Sequence, residues 1–260
     1  MVRVAGCFSH LTREWESPVW RHWVRDLPEG HALLRYDQRG SGLSDWDVED
    51  ISFESWVEDL ETVVDAAQLD TFVLYGPCQG GAVAIEYALR HPERVSHLVL
   101  WGAYSRGILH RGDPDAISVR RAVQTLVRSN WGRGDPSGYQ VVTDTWMPDG
   151  ANAEDKKGFN ELQKISTSAH NLARAMEACD NIQVRRCLQQ IAMPTIVFHA
   201  ERDRIAPVEE GKILAAEIPG ARFVPLPTGN HILLSHEPAW EIFTQELSVF
   251  LGVAAQATAG

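Results

Sequence analysis

The chain has 260 residues, 44% of them apolar and 23% charged, which suits one globular domain with a sizeable core. A formal net charge of −11, with no dense run of Lys and Arg, argues against an electrostatic grip on nucleic acid or an anionic membrane. No apolar stretch reaches the roughly 18 to 20 residues that span a bilayer, and Met1-Val2-Arg3-Val4-Ala5-Gly6 is too short and irregular for a secretion signal.

In chain order, Val2 to Phe8 reads as a short strand, and Pro18 in a first turn after Ser17 starts a helix through Leu27. His31 to Tyr36 reads as a buried strand. From Phe53 to Ala67 the apolar positions Phe53, Trp56, Val57, Leu60, Val63 and Val64 recur with the period of an amphipathic helix. Thr71 to Tyr75 is a strand, Gln79 to Arg90 a helix, and Val95 to Trp101 the next strand. Between Arg106 and Gln190 the alternation stops: helical stretches are broken by Gly132-Arg133-Gly134-Asp135-Pro136-Ser137-Gly138 and Pro148-Asp149-Gly150. The Arg-Gly-Asp tripeptide within the first break reads as chance. Pro194 to Ala200 and Arg222 to Leu226 are strands separated by a helix at Val208 to Glu217, and Pro238 to Leu251 is a closing helix. Strands alternating with helices, several of them continuous apolar runs, predict an α/β fold: a mainly parallel sheet with helices on both faces.

Gly76-Pro77-Cys78-Gln79-Gly80-Gly81 joins a predicted strand to a predicted helix within a few residues. Such a turn strains the apex backbone and projects its side chain beside the helix amino terminus, and flanking glycines keep the crossing free of collisions. The apex is a thiol, which the positive end of a helix dipole makes easier to ionise. The plainer alternative is a small buried cysteine. The four cysteines, Cys7, Cys78, Cys179 and Cys187, form no CxxC pair and have no neighbouring histidine cluster, so neither a disulfide framework nor a metal site is expected. The expected location is cytoplasmic, with no cofactor.

This segment resembles the nucleophile elbow of the α/β-hydrolase family, Gly-x-Ser-x-Gly, with cysteine in place of serine. Further stretches carry the same resemblance. Tyr36-Asp37-Gln38-Arg39-Gly40-Ser41-Gly42-Leu43-Ser44 is similar to the turn after the family's fourth strand, and His91-Pro92-Glu93-Arg94-Val95 to the lead-in of its sixth. Pro194 to Asp203 resembles the seventh strand ending at the acid, and Gly229-Asn230-His231 the histidine loop. More narrowly, the wording resembles hydrolase-like domains fused to helix-turn-helix regulators or cyclases. The resemblance implies a core at residues 1–105 and 191–260 and a helical cap at 106–190, with the family's first two strands missing. His31 to Tyr36 then becomes a sheet edge, open to a homodimer partner or left by a truncated start.

A thiol nucleophile needs a base, and the base needs a group to orient it. His231 is the best base among ten histidines, with His10, His199 and His236 as competitors and His199 read as a core residue. Asp203 is the orienting acid and Glu201 the fallback. Cys78, Asp203 and His231 all follow strand ends, so they can share the carboxyl edge of the sheet, where ligands bind. Backbone N–H groups of Gln79 and, by resemblance, Leu11 are the expected oxyanion donors. Trp131, Trp146, Met147 and Phe159 are candidates for a pocket wall under the cap, with simple packing within the cap as the alternative for each. The expectation is hydrolysis of a small ester, thioester or lactone through a Cys-His-Asp triad and an acyl-enzyme. Acyl transfer by the same triad and small-molecule sensing with little turnover are the alternatives. A small-molecule substrate is the expected partner.

Overall fold

The computed structural model describes residues 1–6, 8–27, 30–132 and 136–253. The Val2–Phe8 strand of the sequence reading crosses residue 7, and the Arg-Gly-Asp tripeptide occupies 133–135; both positions lie outside the described residues. Along the chain come β1 (Val2–Arg3), α1 (Arg21–Arg25), α2 (Phe53–Ala66), β2 (Phe72–Pro77), α3 (Gln79–Arg90) and β3 (Val95–Trp101). The helices α4 (Pro114–Asn130), α5 (Ser137–Trp146), α6 (Ala153–Ser166) and α7 (Ala169–Asp180) come next, without an intervening strand. Then β4 (Thr195–Ala200), α8 (Val208–Glu217), β5 (Arg222–Leu226) and α9 (Pro238–Leu251) complete the described elements. Among the described residues the sheet has five strands, all parallel, in the order β1-β2-β3-β4-β5.

Side chains alternate across a strand, and here both faces are covered. Leu74, Leu98, Leu100 and Val197 pack into one core with residues of α2, α3 and α8. Val73, Tyr75, Val99, Trp101, Ile196 and Phe198 pack into a second with Trp23 of α1 and Trp240, Phe243 and Leu247 of α9. Burial on both faces is why these strands read as unbroken apolar runs. The helices between β3 and β4 form a third core around Val127, Trp131, Tyr139, Phe159 and Leu172, and Phe8 reaches into it from the loop after β1. No helix among the described residues is long and apolar enough to cross a membrane.

The sheet edge differs from the sequence reading. The first strand contracts to Val2–Arg3, and the segment predicted as a strand at His31 to Tyr36 meets it only at a bridge between Val2 and Leu34. Leu34 N–H donates to Met1 O at 2.9 Å and Arg3 N–H to Leu34 O at 3.0 Å. A side-chain knot takes over from the ladder: Glu14, 3% exposed, accepts from Arg3 at 3.1 Å and from Arg35 at 2.6 Å. The helix expected from Pro18 also shortens to Arg21–Arg25, because residues 18–20 form turns.

Removing Glu14 leaves two largely buried guanidinium groups without their carboxylate. Glu14→Ala is expected to lower the free energy of urea unfolding by about 3–5 kcal/mol. Glu16→Ala, which breaks only the exposed pair with Arg13, is expected to cost less than about 1 kcal/mol.

Candidate active site

Cys78 stands alone between β2 and α3, with φ 51° and ψ −126°. A non-glycine residue held at such a backbone stores strain on the order of 1–3 kcal/mol. The cause is the closeness of helix to strand. A β-carbon on Gly76 would lie 2.7 Å from Gly80 O and from Gly81 Cα, and one on Gly81 would lie 2.3 Å from Ala103 Cβ. The turn is pinned by Cys78 N–H donating to Trp101 O at 2.8 Å and Gly81 N–H donating to Cys78 O at 3.0 Å. The sulfur is thereby delivered to the carboxyl end of β2, at the amino terminus of α3.

Asp203 follows β4 by three residues and is buried. Its Oδ1 accepts N–H bonds from Ile205 at 2.7 Å and Ala206 at 3.0 Å, while Oδ2 meets His231 Nδ1 at 2.6 Å. The Cys78 sulfur acts on the same imidazole, raising its pKa together with Asp203, so one ring is coupled to both the thiol and the carboxylate. Burial alone would push His231 down, but the charges of Asp203 and the Cys78 sulfur outweigh it and raise the imidazolium to about 10. Burial would likewise raise Asp203, yet the charge and hydrogen bond of His231 hold its carboxyl below the ordinary 3.8.

Three contacts and one clearance fix the histidine. His231 N–H donates to Trp146 O at 2.8 Å, and Trp101 Nε1 donates to His231 O at 2.9 Å. The Trp146 ring stands edge-on to the imidazole at 4.8 Å. Gly102, at φ +53°, leaves room for the ring: a β-carbon there would lie 2.9 Å from His231 Cε1. The other histidines of the sequence reading stand elsewhere. His199 is buried in β4 with Nε2 at 2.8 Å from Ala206 O and 3.9 Å from Asp203 Oδ2, and burial lowers its pKa. His10 pairs with Thr12 and His236 with Gly150, both away from the sulfur. Glu201 is exposed.

A cavity of about 300 Å³ opens on Cys78 and Gln79 and is walled mainly by apolar side chains, among them Phe8, Val123, Trp146 and Met176. That volume is at the small end for ligand pockets. Of the proposed wall residues, Trp146 lines it. Trp131 and Phe159 do not: both lie behind Phe8, whose ring centroid is 5.9 Å from each, and Met147 is buried in the same core. Leu11 also needs correction as an oxyanion donor. Its N–H donates to Asp37 Oδ2 at 3.1 Å, an oxygen that also accepts from Leu43 N–H at 2.9 Å. Turns through residues 10–17 carry Leu11 toward Asp37 and away from the cavity wall. The sequence reading missed Phe8 and Gly102. A glycine directly after a strand end was the available signal for the second.

Among known proteins, a family model for the alpha/beta hydrolase fold matches residues 14–238. The AB hydrolase superfamily protein YisY of Bacillus subtilis is 26% identical over 225 residues, covering 82% of this chain and 80% of its own. The pyrrolizixenacetamide deacetylase of Xenorhabdus hominickii is 26% identical over 241 residues, covering 89% and 85%. The crystal structure of the enol-lactonase from Burkholderia xenovorans superposes with a TM-score of 0.77 at 22% identity, over 96% of this chain and 90% of that one.

The Asp203–His231 pair ties stability to pH. Because His231 titrates above its ordinary 6.5 when folded, its contribution is complete below about 6.5 and is lost as the pH climbs toward 10. The Asp203 contribution is present above 3.8 and fades as the pH falls below it. The excess stability of wild type over Asp203→Asn, measured by urea midpoints, is therefore expected to peak at pH 5 to 6 and shrink steadily toward pH 10. A second substitution, Gly102→Ala, is expected to cost at least about 1–3 kcal/mol through its positive φ and its collision with the imidazole, with activity falling alongside the melting temperature.

Proposed function

The chain belongs to the alpha/beta hydrolase fold family, and from that membership we propose that it cleaves small esters, thioesters or lactones through an acyl-cysteine at Cys78. The observation that carries this reading is the single imidazole of His231 coupled to both Asp203 and Cys78, with Cys78 on the wall of a largely apolar cavity. With its proton already held on the His231 imidazolium, the Cys78 sulfur attacks the carbonyl carbon; a C–S bond forms and the carbonyl pair moves onto oxygen. The N–H of Gln79, at the start of α3, stabilises the oxyanion. Collapse of the intermediate breaks the bond to the leaving group, which receives the proton from the imidazolium. A water molecule, deprotonated by His231, then attacks the thioester; the C–S bond breaks and the sulfur is released beside the reprotonated imidazole. Asp203 keeps the ring in the tautomer this sequence needs. The helices of residues 106–190 act as a cap over the core formed by 1–105 and 191–260, and keep the thioester dry. The relatives named for deacetylation and lactone cleavage support an acyl substrate.

Two variants of the reading share the same site. A thioester intermediate is attacked readily by amines and thiols, so added acceptor is expected to divert it into acyl transfer. Sensing with little turnover draws on the diversion of the Leu11 N–H to Asp37, since losing one oxyanion donor typically costs about 10²- to 10³-fold in rate.

Brief incubation with an activated ester is expected to add one acyl mass to Cys78, seen by intact and peptide mass spectrometry. Cys78→Ala should show no adduct and lose about 10³-fold or more in turnover. An unchanged mass together with full activity in Cys78→Ala overturns the mechanism. Stoichiometric ligand binding that survives Cys78→Ala, with no product from wild type, favours sensing.

A further inference from the structure

The cavity that opens on Cys78 is mostly apolar, yet Arg111, Arg120 and Arg204 reach its wall alongside the carboxylate of Asp180. In a chain with a formal net charge of −11, this local surplus of cations calls for a cause. Arg120 has one: its Nε donates to Asp180 Oδ1 at 2.8 Å, and Gln124 donates to Oδ2 at 2.8 Å. Arg204 is exposed at the rim. Arg111 differs from both. It is half-buried, and among the described residues no carboxylate stands at ion-pair distance from it, whereas its neighbour Arg106 is spent on Glu210 at 2.6 Å.

Arg111 is nevertheless held in place. Its Nε donates to Arg106 O at 2.9 Å, and its guanidinium lies 4.7 Å from the centroid of the buried Tyr104 ring. The turn that carries it is fixed as well: Gly107 N–H donates to Ile182 O at 2.8 Å, and a β-carbon on Gly107 would lie 2.3 Å from Asp180 O. These anchors use one N–H and one face of the guanidinium and leave its terminal N–H groups uncommitted. A planar fork, preset by a rigid turn and backed by an aromatic ring, suits bidentate recognition of a carboxylate. Tyr104 lines the same cavity as Cys78, so the cation and the sulfur share one enclosure.

We propose that Arg111 forms an anion subsite, and that the substrate is a small ester, thioester or lactone carrying a carboxylate on its acyl arm, remote from the scissile carbonyl. The proposal rests on the hydrolase reading and narrows it from plain apolar acyl groups. The volume of about 300 Å³ keeps that arm short.

The test compares an aryl hemi-ester of glutaric acid with the aryl ester of pentanoic acid on the full chain. Wild type is expected to prefer the hemi-ester in kcat/KM, and Arg111→Gln to reduce that preference about ten- to a hundredfold, chiefly through KM, as expected for a lost charge-assisted contact. Arg111→Lys keeps the charge but loses the fork and should fall between; it also decides the matter if the glutamine variant does not fold. Arg121→Gln, exposed on α4, should retain the wild-type preference. Pentanoate hydrolysis through Cys78 with no preference for the hemi-ester overturns the subsite and leaves the hydrolase reading standing, as does full preference in Arg111→Gln. If neither ester is cleaved, the hydrolase reading fails and calorimetry with free glutarate on Cys78→Ala decides the subsite: binding abolished by Arg111→Gln supports it, and no binding overturns it.

Discussion

The first turn of α3 lies so close to the strand that feeds it that no β-carbon fits at Gly76, and so close to Ala103, after β3, that none fits at Gly81. The geometry of the site depends on this crossing. It forces Cys78 into a backbone that side chains rarely adopt, and it fixes the direction of the sulfur relative to the sheet. The burial of β2 and β3 on both faces holds the strain in place, since relaxing it would disrupt two cores at once. A fold-wide packing constraint is thereby converted into the placement of one atom.

The histidine is placed by a different principle. No single element could hold His231, which sits in a loop, so the loop is tied to β3 through Trp101 and to α5 through Trp146. Asp149 adds to this, accepting Gly229 N–H at 2.7 Å while its own N–H donates to Asn230 Oδ1 at 2.9 Å. The helices that cover the cavity therefore also hold the base, and burial of the ring strengthens its coupling to Asp203 and Cys78. Seating of these helices and readiness of the imidazole are linked by the same hydrogen bonds.

What could be read from the sequence was what glycine spacing and strand ends dictate. Cys78, Asp203 and His231 were legible because a short strand-to-helix turn, and polar residues just after apolar runs, leave few places for those side chains to go. The edge was not. His31 to Tyr36 has the composition of a strand, but it bonds β1 only through Leu34, and Arg35 turns to Glu14 instead. Leu11 failed because the path of an irregular loop is set by the distant Asp37. Trp131 and Phe159 failed because Phe8 intervenes, a contact between segments more than a hundred residues apart that no local pattern encodes. Arg111 carried no signal in the sequence, because only the folded neighbourhood puts it on the cavity wall with no carboxylate at ion-pair distance among the described residues.

The claim that most depends on these contacts is that the imidazole at 231 carries its proton through neutral pH because a sulfur and a carboxylate face it from two sides. Nitrogen NMR of histidine-labelled protein, titrated across the accessible range, measures this directly. The expected midpoint lies near 10 and drops when Cys78 is replaced by alanine. A midpoint at or below 6.5, or one indifferent to that replacement, would contradict it.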